Sequence, residues 1–398
     1  MLTLDRIYQA AHTLRGVVRK TDLILSQGIA PACELHLKAE NLQITGSFKV
    51  RGAYFKMSAL REEKGKGVIA CSAGNHAQGV ALSARRAGLA ATIFIPSVAP
   101  LSKIEATKRY GAQIRLVDGV YDDAYEAAAA YARENGGVFI HPFDDIDVIA
   151  GQGTIGLEIL EQLPTLDAVV VPVGGGGLLS GVAFAVKMLS PACKVYGVQA
   201  AGADSMHKSF RDKQCACLGQ VSTFADGIAV KSPGAVTYPL CERYADGIVT
   251  VTDDEIATAI LTLMEQQKLV AEGAGAVAVA AAMFNKLPIE GKRVCAVVSG
   301  GNIDVNILSR VISRGLLTTG RLSELKIAML DKPGQLGEVS AIIAGLGANV
   351  TKVMHNPGGE NTDIIGCFLH ISMETKNREH FCEIRRAIQA AGYTIAEG

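Results

Sequence analysis

The sequence has no excess of either charge and no feature that marks a secreted protein. Its 398 residues contain 39 basic and 39 acidic side chains, so charge predicts neither a nucleic acid nor an anionic membrane as a partner. The N-terminal residues include Asp5 and Arg6 and lack the basic start and long apolar run of a signal peptide. We therefore expect a cytoplasmic protein that binds small molecules.

Cysteine pairs and uninterrupted apolar spans are also missing. Of the nine cysteines only Cys215 and Cys217 lie close together, at a spacing that suits neither zinc nor a redox dithiol. The longest uncharged stretch, 168–186, contains Pro172, four consecutive glycines and Ser180, which favours a buried strand, a turn and a helix over a membrane span. We expect reduced thiols and no membrane segment.

What the sequence does contain is a regular alternation of short apolar runs and helical patterns. The runs are GVIAC, ATIFIP, AQIRLV and GVFIH, followed after a gap by DAVVVPV, KVYGVQA and RVCAVVSG. This alternation predicts parallel βα units, and continuous apolarity predicts strands that are covered on both faces. We expect an α/β catalytic part at 1–318 with two lobes, the smaller at about 50–145 being inserted in the larger.

The pattern changes after Thr319. Residues 324–398 have the order βαββαβ that is typical of a small split α+β domain. The polar, glycine-containing segment at 319–323 is the predicted linker between the two parts.

Two of the four motifs that can carry chemistry lie in the first quarter of the chain. Lys49 stands in TGSFKVRG before a predicted helix, and alone it reads as an ordinary surface lysine. CSAGNHAQGVAL, at 71–82, places a glycine turn at the carboxyl end of a predicted strand, where open α/β sheets bind ligands. Val80 and Ala81 stand where a Walker A loop requires Lys and Ser or Thr, which excludes a nucleotide P-loop.

The third motif is VPVGGGGLLSG at 171–181, with four glycines between an apolar strand and a helix. Backbone N–H groups in such a loop can surround a phosphate at the helix N-terminus. A tight turn with close helix packing is the alternative, and we expect it to need one or two glycines rather than four. The fourth motif, CAVVSGGNID, ends a buried strand at Ser299 and by itself is an ordinary strand-to-helix turn.

A literal GxGxxG also occurs, at Gly151, Gly153 and Gly156. A charged segment precedes it instead of a buried strand, so we interpret it as a helix-opening turn and not as a dinucleotide site.

In this order and at these separations, SFKVRG, SAGNHAQG, GGGGL and SGGN resemble the threonine dehydratases, or threonine ammonia-lyases, of the β-family of pyridoxal-phosphate enzymes. The resemblance covers about 1–318, and DKPGQLGEV in the tail resembles the first loop and helix of an ACT domain. It implies a two-lobed fold like that of the tryptophan synthase β subunit, pyridoxal 5'-phosphate as cofactor, and a homo-oligomer, either dimer or tetramer. It also implies an amino-acid effector, isoleucine or valine, at the ACT domain.

The resemblance assigns roles residue by residue. Lys49 would carry the cofactor as a Schiff base and then remove the substrate α-proton, while Phe48 would pack beside the pyridine ring. Asn75 would donate to the phenolic oxygen, and Ser299 would meet the ring nitrogen. Backbone amides of Gly174, Gly175, Gly176, Gly177 and Leu178 would bind the phosphate, and the substrate carboxylate would lie in the loop of Ser72, Ala73, Gly74, Asn75 and His76.

Several residue types narrow the expected reaction. A neutral hydroxyl at Ser299 makes a weaker electron sink than an aspartate would, which favours elimination over transamination. Ala73 stands where serine racemases have a second serine as the opposite base, which disfavours racemisation. Ala201 stands where those relatives have an acidic metal ligand, and although Asp204 remains possible, we expect no metal. We do not expect His76 to be the base.

The expected reaction is therefore conversion of L-threonine to 2-oxobutanoate and ammonia, with L-serine to pyruvate as a second activity. A serine or threonine racemase, or a dehydratase that prefers serine, is the alternative within the same cofactor class. A single methyl group is worth only about 1–3 kcal/mol in an apolar pocket, so the sequence does not decide the preference. An amino-acid sensor with a decayed catalytic part is the alternative of a different class.

Overall fold

The computed structural model describes residues 1–60, 67–357 and 365–396, and the chain divides into two compact units, Met1–Asp304 and Val305–Gly398. The helices are α1 Leu4–Thr13, α2 Lys49–Ser58, α3 Asn75–Ala87, α4 Leu101–Lys108, α5 Tyr121–Asn135, α6 Ile146–Gln162, α7 Gly177–Leu189, α8 Ser205–Asp212, α9 Thr237–Tyr244, α10 Asp253–Thr262, α11 Gly273–Met283, α12 Val305–Thr318, α13 Gln335–Gly345 and α14 Arg378–Ala390. The strands are β1 Leu23–Ser26, β2 Glu34–Lys38, β3 Val68–Cys71, β4 Ala91–Pro96, β5 Gln113–Val117, β6 Val138–Phe139, β7 Ala168–Pro172, β8 Lys194–Ala200, β9 Gly247–Val251, β10 Arg293–Val297, β11 Leu322–Leu330, β12 Asn349–Pro357, β13 Gly366–Glu374 and β14 Thr394–Ala396.

Two sheets organise the first unit. The larger has six strands in the order β1-β2-β10-β7-β8-β9, and all of its pairs are parallel except β1–β2. The smaller has four parallel strands in the order β5-β4-β3-β6, all from residues that lie between β2 and β7 in the chain. Every residue of β3 and β7 is buried, as expected of strands covered on both faces. The α/β fold with parallel strands is confirmed.

The order of the strands brings three of the sequence motifs to carboxyl edges of the sheets. The SAGNH loop follows β3, the glycine run follows β7, and Ser299 follows β10, which is hydrogen-bonded to β7. The Lys49 motif reaches the same edge through an isolated antiparallel bridge between Ser47 and Gly300. The glycine run, Ser299 and the Lys49 motif therefore lie at one edge of the larger sheet, and the SAGNH loop lies at the carboxyl edge of the smaller sheet.

The GxGxxG segment has a packing role, and the interpretation of it as a helix-opening turn is wrong. Helix α6 begins ahead of all three glycines, which lie in its interior. A Cβ on Gly151 would be 2.5 Å from the Cα of Gly52 in α2, and one on Gly153 would be 3.0 Å from the carbonyl oxygen of Gly181 in α7. The glycines let three helix backbones approach closely, at a distance that any side chain would prevent.

The second unit consists of α12 followed by β11, α13, β12, β13, α14 and β14, which is the predicted βαββαβ order after one preceding helix. Its sheet is antiparallel with the order β12-β13-β11-β14. The division between the units precedes α12, whereas the predicted linker was 319–323, and β11 already begins at Leu322. Of the residues predicted as a linker, 319–321 form the turn after α12 and 322–323 start β11.

None of the described helices is both long and apolar enough to cross a bilayer. All nine cysteines are free thiols, as expected from their spacing.

Candidate active site

A cavity of about 800 Å³ opens at the carboxyl ends of the strands in the first unit. Every residue that the sequence assigned to a site contributes to its lining: Phe48, Lys49, Ser72, Ala73, Gly74, Asn75, His76, Gly174, Gly175, Gly176, Gly177, Leu178 and Ser299. Their proximity was expected from the parallel topology, and their individual roles stay predictions.

Lys49 is the first residue of α2, and its ammonium lies inside the cavity. Its Nζ donates a hydrogen bond to the carbonyl oxygen of Pro142 at 2.9 Å and lies 5.2 Å from the centroid of the Phe48 ring. Burial lowers the pKa of Lys49 to about 8, although the negative charge of Glu272 acts in the opposite direction. A lysine with such a pKa is far more easily neutralised at physiological pH than a surface lysine, and only a neutral amine can accept a proton.

The glycine run forms a loop between β7 and α7. Among the described residues, no backbone or side-chain acceptor takes a hydrogen bond from the N–H groups of 174–178, although the carbonyl oxygen of Gly175 accepts one from Gly234. The first N–H groups of a helix have no acceptor within that helix, and here α7 begins at Gly177. Unpaired donors at a helix N-terminus are the arrangement that binds a phosphate.

Close packing also accounts for the four glycines, so the expectation that packing needs only one or two of them is wrong. A Cβ on Gly174 would be 3.1 Å from the Cα of Ile228, and one on Gly175 would overlap the ring of Phe143. Gly176 has a φ of 101°, in the left-handed region, and a Cβ on Gly177 would be 2.8 Å from the Cβ of Phe143. The count of glycines reflects the close approach of Phe143 and Ile228 to the loop, while the case for a phosphate depends on the amides.

Asn75 lies at the start of α3, between two polar side chains from distant parts of the chain. Its Nδ2 donates to Oε1 of Glu272 at 2.5 Å, and its Oδ1 accepts from Nδ2 of Asn302 at 2.8 Å. Asn302 also donates to the carbonyl oxygen of Thr45 at 2.8 Å. An amide nitrogen has two N–H groups, so this fixed orientation still leaves one N–H for a ligand in the cavity.

The family comparisons agree with this geometry. The family model described as "Pyridoxal-phosphate dependent enzyme" matches residues 14–300. The chain belongs to the pyridoxal-phosphate dependent enzymes. Over 398 residues and 99% of both chains it is 50% identical to an L-threonine ammonia-lyase of Thermotoga maritima, and it is 43% identical to one of Geobacter sulfurreducens with the same coverage of 99%.

Solved structures of this family superpose on most of the chain. A threonine deaminase, isoform 2 from Solanum lycopersicum, gives a TM-score of 0.74 at 39% identity and covers 79% of this chain and 95% of its own. A maize serine racemase gives the same TM-score of 0.74 at 35% identity, covering 79% of this chain and 98% of its own. The fold is therefore shared by lyases and racemases, and the reaction must be argued from side chains.

The cavity of this pyridoxal-phosphate enzyme fits its cofactor. The unpaired amides of 174–178 suit a phosphate, and Lys49 lies in the same cavity for the aldehyde. Ser299 is buried, and its hydroxyl donates to the carbonyl oxygen of Ala274 at 3.3 Å. A bond this long is weak, so the hydroxyl hydrogen can rotate towards a ring nitrogen.

The loop expected to bind the substrate carboxylate combines a helix N-terminus with a structural histidine. The hydroxyl of Ser72 accepts a hydrogen bond from the N–H of Gly74 at 3.1 Å, which holds the loop in place. Nε2 of His76 lies 2.8 Å from the carbonyl oxygen of Ile140, and burial together with the charge of Lys49 lowers the pKa of His76 to about 3. The imidazole is neutral and donates to the backbone. That His76 is not the base stays a prediction.

Glu272 is the main site residue that the sequence analysis missed. Burial and the negative charge of Asp226 raise the pKa of Glu272 to about 7, and its own N–H donates to the carbonyl oxygen of Gly300 at 3.1 Å. It is the only charged residue between Lys268 and Lys286, and that isolation in an apolar segment was the available signal. Other polar residues that the analysis did not assign also line the cavity, namely Lys103, Tyr121, His141 and Asp226.

We expect Glu272→Gln to shift the pH dependence of the reaction to lower pH. Above its pKa of about 7, Glu272 is anionic and raises the pKa of Lys49, whereas glutamine is neutral and still accepts from Asn75. Lys49 will then lose its proton at a lower pH, so the acid limb of the kcat profile will move downward. Glu255→Gln is the control, because Glu255 pairs with Lys286 outside the cavity lining. An acid limb that coincides with the parental one would contradict this coupling.

Proposed function

We propose that this enzyme converts L-threonine to 2-oxobutanoate and ammonia and also accepts L-serine, which it converts to pyruvate. The observation that carries the proposal is the cavity in which Lys49, with its lowered pKa, lies together with the unpaired amides of 174–178. The 50% identity to a named L-threonine ammonia-lyase over 99% of both chains supports the same reaction.

The chain's own residues have separable tasks in this reaction. When bound, pyridoxal phosphate supplies the electron sink that makes the substrate α-proton acidic. Lys49 Nζ, once neutral, accepts that proton. The β-hydroxyl then leaves as water by taking up one proton, so that Lys49 is neutral again at the end of the elimination. The N-terminus of α3 and the loop before it hold the substrate carboxylate, and Asn75 is kept in position by Glu272 and Asn302. Hydrolysis of the resulting enamine releases ammonia and 2-oxobutanoate.

Elimination is favoured over racemisation by the residue opposite the expected base. A racemase must return a proton to the other face of the α-carbon, which requires a second acid there. Ala73 lines the cavity with a methyl group that can neither donate nor accept a proton. Because maize serine racemase shares this fold, topology does not distinguish a racemase from a lyase. The side chains and the products distinguish them.

The test is a product assay on the purified enzyme loaded with pyridoxal phosphate. We expect equal amounts of ammonia and 2-oxobutanoate from L-threonine, ammonia with pyruvate from L-serine, and unreacted substrate that stays in the L form. Accumulation of the D isomer would favour the racemase alternative. Protein that neither absorbs as a lysine-bound cofactor nor releases ammonia would favour the sensor alternative.

We further propose that the second unit is an ACT domain that pairs with another copy and binds an amino-acid effector. A cavity of about 450 Å³ in this unit is lined by Leu330, Gln335, Glu338 and Tyr393, and isoleucine and valine are the first candidates for it. The test adds increasing isoleucine or valine and measures the rate of threonine deamination, both for the full chain and for a chain that lacks 321–398. Kinetics unchanged by either amino acid and by the deletion would refute it.

A cytoplasmic location and a dimer or tetramer stay predictions.

A further inference from the structure

Three side chains with different metal-binding groups converge at one end of the second unit's sheet. Asp331 follows β11, His355 lies on β12 and Cys367 lies on β13, and one potential ligand atom from each falls within 4.8 Å of the other two. None of them belongs to the cavity proposed for catalysis. Their positions are far apart in the sequence, so spacing alone did not suggest a site.

The pairing of β11 with β13 accounts for one half of this cluster. Cys367 is paired with Met329, and the N–H of Asp331 donates to the carbonyl oxygen of Ile365 at 2.8 Å, which extends the pairing beyond the end of β11. Residues two apart along a strand face the same side of a sheet. Asp331 therefore faces the same side as Met329 and Cys367.

The pairing of β12 with β13 accounts for the other half. Cys367 is paired with Pro357, and His355 precedes Pro357 by two residues, so the imidazole faces the same side as the thiol. Nε2 of His355 lies 3.2 Å from Oδ1 of Asp331. The register of three strands thus brings a carboxylate, an imidazole and a thiol together on one face.

We propose that Asp331, His355 and Cys367 bind a divalent transition-metal ion of the zinc class and leave a fourth position open. Thiolate, imidazole and carboxylate are the ligands that zinc prefers, whereas magnesium and calcium prefer oxygen ligands alone. Ligands about 2.1 Å from a tetrahedral ion lie about 3.4 Å apart, which the 3.2 Å between His355 and Asp331 already approaches. The proposal departs from the expectation, based on sequence, of no metal.

The exposed members of the cluster can move to complete the geometry. A sulfur at about 2.3 Å and a nitrogen at about 2.1 Å from a tetrahedral ion lie about 3.6 Å apart. Because the ligand atoms lie within 4.8 Å of one another, the distance from the thiol to the imidazole has to shorten by about 1.2 Å at most. Cys367 is 1% exposed and fixed in the core, while the side chains of Asp331 and His355 are 46% and 42% exposed. Rotation of these two side chains towards the sulfur is enough. An exposed carboxylate–histidine pair alone would stabilise the domain little and would not require a thiol beside it.

The test measures zinc bound by the full chain loaded with pyridoxal phosphate. Equilibrium dialysis against zinc, followed by metal analysis and zinc X-ray absorption, should give a high-affinity ion with a single sulfur neighbour. Cys367→Ser should remove the sulfur signal, and His355→Gln should weaken binding at least about tenfold. Cys382→Ser and Glu374→Gln, both at exposed positions of the same unit, are the controls and should bind zinc like the parent.

Two results would overturn the proposal. One is zinc bound by Cys367→Ser and His355→Gln with parental affinity and an unchanged sulfur signal. The other is no zinc retained by the parent above the amount retained by Cys367→Ser. Circular dichroism and urea unfolding of each variant serve as the check of folding, because the cluster lies in the second unit and the cavity proposed for catalysis lies in the first. All four variants should stay folded and keep the parental rate of threonine deamination when assayed without added zinc.

Discussion

Replacing Lys49 by alanine is expected to lower the rate of threonine deamination by roughly 10³- to 10⁴-fold. The variant loses the amine that holds the cofactor and the base that accepts the α-proton. No other described lysine in the cavity lining can substitute easily, because Lys103 is ion-paired with Asp226 and Lys231 with Asp122. Formation of 2-oxobutanoate measures the loss, and the cofactor spectrum should change in the same preparation.

Lys49→Arg and Lys56→Ala separate chemistry from charge and from helix stability. Arginine keeps the positive charge but stays protonated at any accessible pH, so we expect it to be nearly as inactive as alanine. Lys56 lies on the same helix and pairs with Asp145 at 2.8 Å and Asp147 at 3.2 Å outside the cavity lining, so its alanine variant should keep most of the activity. Elimination by Lys49→Ala within tenfold of the parental rate would refute the assignment.

Local pattern was sufficient to predict the strands and loops that hold this site. β3, β4, β7, β8 and β10 are short apolar runs buried on both faces, and such runs have no other stable environment in a soluble α/β unit. Parallel pairing places the loops at Gly174 and Ser299 at one edge of the larger sheet. The loop at Ser72 follows a strand of the smaller sheet, so its position near them also depends on how the two sheets pack.

Long-range contacts were not predictable in the same way. β2 alternates polar and apolar residues and contains the charged Lys38, whose burial makes sense only beside Glu158 of α6. The glycines of α6 have the spacing of a dinucleotide-binding motif. The sequence does not reveal that they contact other helices instead. Glu272 stands out by its isolated charge, yet its role depends on Asn75, which is distant along the chain.

Arg51 is a further residue whose role depends on long-range contacts. It lies two positions after Lys49, is fully buried, and donates to Glu40 through Nε at 2.8 Å and Nη2 at 2.7 Å. Its Nη1 also donates to Glu158 at 2.6 Å, and Lys38 donates to the other oxygen of Glu158 at 2.7 Å. The two cations and two anions balance one another at buried or nearly buried positions, and they join α2 to α6 and to the segment after β2.

We expect Arg51→Met to lower the free energy of unfolding by about 3–5 kcal/mol, because it leaves a buried anion without its partner. Urea unfolding of the full chain measures the change. Arg211→Met is the matched control, because Arg211 pairs with its neighbour Asp212 with 63% of its side chain exposed, and it should leave the stability close to that of the parent. If the free energy of unfolding of Arg51→Met lies within about 1 kcal/mol of the parental value, the network is not structurally important.

The pH dependence of stability identifies why Arg51→Met is expected to be less stable than the parent. Burial alone would raise the pKa of Glu40, but the charge and hydrogen bonds of Arg51 lower it below its usual value, so the parent should lose stability as the pH falls through that pKa. Without Arg51, burial dominates and the pKa of Glu40 rises above the unfolded value. The stability of Arg51→Met should then increase on mild acidification, as the stranded carboxylate takes up a proton. Adding Glu40→Gln to Arg51→Met restores the charge balance and should recover part of the stability at neutral pH. A double variant that is less stable than Arg51→Met would show that lost packing, and not the unpaired charge of Glu40, causes the loss of stability.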